Sequence, residues 1–199
     1  MNQQTWGFFR AAPQVPARDQ LTDLARMHVR AGLLDGTSAV AEVGAAIVAD
    51  LPTDPDPAGT AGALVDAARA ELLAEQLDWR RPTDYQRLQE AFTALGQRGV
   101  VVLQAVEDHW VADAALRQRS TSDQPLAGLI WFTAPDVWHA VDHGMLELNV
   151  WHADSANVAP GEVLLDVVVT ALADHGLAAH FDEGRVEVAA HWQRPLLLD

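Results

Sequence analysis

The sequence predicts an α+β protein in which N-terminal helices pack with a mixed five-stranded sheet, interleaved with helices and ending in a β-hairpin. Three observations carry this expectation. The first 81 of the 199 residues hold only helical periodicity and proline-rich breaks. Beyond Gly99, short β-branched and aliphatic runs alternate with helical segments. Two alternating runs then flank Asp182-Glu183-Gly184, and a hairpin there makes at least one strand pair antiparallel, which argues against a purely parallel, doubly wound sheet. Residues 1–81 read as a helical region and 82–199 as an α+β domain, forming one compact unit with a soft boundary near Arg81.

The elements follow in order. Residues 19–34 place Leu21, Leu24, Ala25, His28 and Ala31 at helical spacing before Asp35-Gly36 breaks the pattern. Thr37 or Ser38 can cap a second helix with the stripe Val40, Val43, Ile47 and Leu51. Pro52, Pro55 and Pro57 lack the amide donor a helix needs, so they mark a loop. A third helix spans 60–80, with Leu64, Ala68, Leu72 and Trp79 apolar. Thr83-x-x-Gln86 is a capping box opening a helix whose stripe is Tyr85, Leu88, Ala91, Phe92 and Leu95; it stops near Arg98, where Gly99 supplies a left-handed closure.

Residues 100–106 form a β-branched strand and 107–119 a helix, followed by a loop over 120–125 and a second strand over 126–133. Thr133-x-x-Asp136 caps a short helix, 134–143, that ends at Gly144. The strand 145–152 carries Leu146, Leu148, Val150 and His152 on one face, with Glu147, Asn149 and Trp151 on the other. A helix over 160–175 begins with proline at a tolerated early position, and 177–181 and 185–191 pair as the hairpin.

Composition narrows the chemistry. There are no cysteines, which excludes disulfides, thiolate metal sites and cysteine nucleophiles. All 13 basic residues are arginine against 28 acids, giving a net charge of -15. Nucleic acid is not an expected partner, since phosphate contacts require cationic side chains. The absence of lysine removes the P-loop and Schiff-base chemistry, and none of Ser38, Ser120, Ser122 and Ser155 sits in a nucleophile elbow. No run approaches the roughly 18 apolar residues of a membrane span. Residues 1–18 lack a cationic start followed by an apolar stretch, so no membrane partner and a cytoplasmic location are expected.

Two groups of side chains are candidates for function. His139-Ala140-Val141-Asp142-His143 places two histidines one helical turn apart, close to an inverted zincin motif but with the shorter acid Asp142. A zinc ion could bridge the pair and activate water, with His109 or His152 as a third ligand. Against this, His143 beside Gly144 suits a helix C-terminus. Seven tryptophans (Trp6, Trp79, Trp110, Trp131, Trp138, Trp151 and Trp192) are mainly core residues by expectation. Trp131, Trp138 and Trp151 could still form one cluster and line a small-ligand pocket.

From Thr83 to Arg194 the order of segments resembles a bacterial family, best represented in high-GC actinobacteria, that is catalogued as a domain of unknown function. The resembling residues are Asp84-Tyr85-x-Arg87-Leu88 with Ala91-Phe92, Gly99-Val100-Val101, Gly128-Leu129-Ile130-Trp131-Phe132, Gly144-x-Leu146-x-Leu148, Gly176-Leu177, and Arg185-Val186-x-Val188 with Trp192. The resemblance implies an α+β fold and no particular substrate. Family members often carry cysteines after the strand equivalent to 100–106, and this chain has none there. The expectation from the sequence is therefore a non-catalytic binding or regulatory protein whose acidic surface engages a basic protein, in the manner of an immunity protein or inhibitor. The alternatives are a metal-dependent hydrolase centred on His139 and His143, and a domain with a tryptophan-lined ligand pocket.

Overall fold

A computed structural model describes residues 16–120 and 126–196. Trp6, Ser122 and most of the predicted 120–125 loop lie outside the described residues. Helices α1 (Ala17–Ala31), α2 (Gly36–Asp50) and α3 (Pro57–Glu75) come first, and α4 (Asp84–Gln97) follows. Then come β1 (Val100–Val106), α5 (His109–Ser120), β2 (Gly128–Thr133), α6 (Ala134–His143), β3 (Met145–His152), α7 (Val163–Asp174), β4 (Ala178–Asp182) and β5 (Arg185–Ala189). The architecture is the predicted α+β, with one mixed sheet in the order β1-β2-β3-β5-β4. Only β1 and β2 run parallel, joined through α5, and every other pairing is antiparallel.

Several boundaries differ from expectation, each for a local reason. Gly32, at φ 60°, closes α1 before Leu33 and Leu34. Asp35, rather than Thr37 or Ser38, caps α2, its carboxylate accepting from the Ser38 amide. Pro57 does not end a loop but opens α3 at its first turn, with Asp56 accepting from the Gly59 amide. Helix α3 ends at Glu75, short of the expected 80, and Trp79 lies beyond it, packed against the α1–α3 core. Helix α7 begins at Val163, three residues after Pro160, because residues 159–162 form a turn. The capping boxes at Thr83 and Thr133 form as read.

The three N-terminal helices share a core of small and aliphatic residues that includes Leu21, Val43, Ile47, Val65 and Leu72. Arg26 to Glu71 and Arg30 to Glu75 ion pairs tie α1 to α3 outside it. The sheet has two faces, as the alternation in β3 requires. Leu146, Leu148 and Val150 point into the main core beneath α4 and α7, joined by Ile130, Phe132, Val186 and Val188. On the opposite face Leu129, Trp131, Leu103 and Trp151 meet Ala112 and Leu116 of α5. Farther along that face the side chains are polar, with Glu147 paired to Arg185 and His180 to Glu187. No helix of the described residues is long and apolar enough to cross a membrane.

The chain after β5 links the two regions. The Trp192 indole N–H donates to the Ala31 carbonyl at 3.0 Å, Arg194 donates to the Gly32 carbonyl, and the Leu196 amide donates to Gln76 Oε1 at 3.1 Å. Buried Thr83 accepts from the Gln86 amide and donates its hydroxyl to the Gln193 carbonyl at 3.0 Å. The same hydroxyl therefore starts α4 and fastens this C-terminal strap.

Candidate functional site

One recess lies at an end of the sheet, where β1 and β2 begin and β3 ends. Helices α4 and α7 cross the same face side by side. The end of α4 delivers Arg98 to this recess and the start of α7 delivers Gly161 to Leu164. Between them is a cleft of about 680 Å³ lined by Arg98, Val100, Ala127, His152, Gly161, Glu162, Val163, Leu164 and Val167. Its floor is aliphatic because Val100 and Leu164 belong to the main core, and apart from His152 no aromatic side chain is among the described lining residues.

Gly128 sets how closely α7 approaches. A Cβ on Gly128 would stand 2.5 Å from Leu164 Cδ2 and 2.6 Å from the Trp151 carbonyl oxygen, so the first turn of α7 rests directly on the bare backbone of β2. His152 pairs across from Gly128 in the β2–β3 ladder and therefore points to the same face, toward α7. There its Nε2 lies 2.7 Å from Glu162 Oε2, which also accepts from the Ala159 amide at 2.8 Å. These bonds hold the 159–162 turn and delay the start of the helix. The same contacts, His152 first and the Ala159 amide second, hold the Glu162 carboxyl below its ordinary value. Glu162 makes no side-chain cap on α7, since its oxygens are engaged outside the helix.

The residues singled out from sequence are distributed differently. His139 and His143 do meet, with ring centroids 4.6 Å apart, and both are exposed on α6. Among the described residues no group of three histidine or acidic side chains is placed to hold a metal ion. His109 contacts Trp110 and His152 is bonded to Glu162, and neither is joined to the α6 pair. Trp131 and Trp151 pack edge to face at 5.1 Å beside α5. Trp138 does not join them: it lies on α6 against His28 of α1, at 6.5 Å. The three tryptophans therefore do not form one cluster, because β2 and β3 turn Trp131 and Trp151 away from the core face that α6 covers. None of them lines the cleft.

Sequence reasoning singled out His152 only as a metal ligand and did not mark Arg98 or Glu162. The available signal was the Pro160-Gly161 break ahead of Glu162, with His152 on the core face of its strand yet polar.

Neither the curated proteins nor the solved structures include a match to this chain. A family model matches residues 14–196, so the likeness read over 83–194 extends through the N-terminal helices as well. The chain therefore belongs to the family described as Domain of unknown function (DUF6891).

Proposed function

We propose that the protein binds a small, largely apolar ligand in the cleft between the end of α4 and the start of α7. The observation that carries this reading is the unfilled recess itself, about 680 Å³ with five aliphatic side chains in its lining. Small-molecule sites typically span roughly 300–1,000 Å³, with mostly apolar walls and a few placed polar groups. Val163 stands at the lip with 79% of its surface exposed, while its neighbours Leu164 and Leu165 on α7 are buried. Arg98, His152 and Glu162 are the polar side chains of the described lining, and none of the described lining residues is a serine, threonine or cysteine. An environment-sensitive anilinonaphthalene dye tests this reading: it should bind the native protein at one site, and Val167→Trp, which places an indole in the cleft, should abolish the signal while the helical circular dichroism is retained. Undiminished dye binding by the filled variant would overturn the proposal.

A second reading, docking of a basic protein, is favoured by Trp110, which is 64% exposed at the start of α5 with Val111 beside it. Tryptophan is a frequent interface anchor, and the net charge of -15 would accelerate encounter with a cationic partner. An arginine-rich peptide should associate more slowly as salt rises and lose affinity on Trp110→Ala. Equal affinity for the variant would reduce this reading to unspecific charge attraction.

A further inference from the structure

We infer that the ligand of the cleft is an amphipathic carboxylate, its apolar body lying on Val100, Val163, Leu164 and Val167 and its carboxylate received by Arg98. This rests on the cleft reading above and adds the chemical class of the ligand.

The ionic side chains at the rim differ in whether they are already bonded. Among the described residues, Glu162 is the one acidic side chain in the lining, and it is bonded to His152 at 2.7 Å and to the Ala159 amide at 2.8 Å, both within the rim. Among the described residues, Arg98 is the one arginine of the lining and forms no ion pair. Arg26, Arg30, Arg87, Arg117 and Arg185 each have a carboxylate partner. Among the described lining residues, Arg98 is thus the ionic side chain left without a partner, on a chain whose net charge is -15. A guanidinium offers two parallel N–H donors that match the two oxygens of a carboxylate. A monoanion balances it; a phosphate dianion would bring an uncompensated charge to an already anionic protein. An ammonium head would find Glu162 engaged and Arg98 repelling it.

Calorimetric titration at neutral pH with sodium decanoate, 1-decanol and decylammonium chloride tests the inference. Decanoate should bind about tenfold or more tightly than decanol, the usual worth of a charge-assisted hydrogen bond at a partly exposed site. Decylammonium should bind more weakly than either. Arg98→Gln should bring decanoate down to the affinity of decanol and leave decanol unchanged; Arg98 is exposed, so the variant retains the fold. Val163→Glu at the exposed lip should weaken decanoate more than decanol. If no probe binds, or if Val167→Trp binds decanol and decanoate as the native protein does, the cleft reading fails and this inference with it. If decanol matches decanoate in the native protein, or Arg98→Gln keeps the preference, the carboxylate assignment alone is overturned.

Discussion

The two ends of the sheet are built from the same pair of helices, yet one is filled and the other is open. At the filled end, where α4 begins, Trp192 packs edge to face on Tyr85 at 4.9 Å and reaches Phe132 at 6.0 Å. Phe92 continues the aromatic layer beside Phe132. The strap that carries Trp192 also covers this end by bonding to α1, α4 and α6. At the other end the corresponding space is bounded by Val100, Ala127, Leu164 and Val167, and no strap crosses it among the described residues. Protein interiors are close-packed, so an unfilled recess beside a complete aromatic layer marks the end available to a ligand.

Changes at the two ends should separate these roles. The largest effect is expected from Trp192→Ala, which removes a ring that is 5% exposed together with its bond to Ala31. It should cost about 3–5 kcal/mol in urea unfolding and create a second dye-binding recess at the filled end. A loss below 1 kcal/mol would show that the strap does not complete the core. Gly128→Ala comes next, because its Cβ must displace Leu164 and the start of α7. A loss of about 1–3 kcal/mol is expected, with dye affinity altered at the open end.

Glu162 supplies a smaller, pH-dependent effect. Its folded pKa lies below the unfolded value of 4.5, so its stabilisation is complete above that value and disappears as pH falls through the depressed one. Glu162→Gln should therefore flatten the acid limb of the stability profile from about pH 5 downward. An unchanged acid limb would show that the bonds from His152 and Ala159 do not hold the turn. The smallest effect belongs to Arg98→Gln, expected to change stability by no more than about 0.5 kcal/mol while altering ligand preference. Stability and binding would then be assigned to opposite ends of one sheet.

Several features that a few neighbouring residues decide are legible in the sequence. Thr83 with Gln86, Thr133 with Asp136, and the left-handed Gly144 each act over a single turn. The hairpin is equally local: Asp182 pairs with Arg185, leaving Glu183 and Gly184, both at positive φ, as its two-residue turn. The sequence predicts α7 three residues early, because Pro160 is compatible with a first helical turn. What prevents that turn is Glu162 bonding to His152, a residue on the preceding strand. The expected company of Trp138 with Trp131 and Trp151 was wrong for a related reason, since adjacency along the chain does not tell which face of the sheet α6 covers.

The sequence by itself determined the class of fold, most of its elements and the absence of thiol and lysine chemistry, because periodicity, capping and composition are properties of short stretches. Only the tertiary structure decided that Arg98, His152, Glu162 and Val167 border one cleft. These residues come from the ends of two helices and a strand separated by many residues. Their meeting depends on sheet order and on how closely α7 can rest on Gly128, which no local pattern encodes.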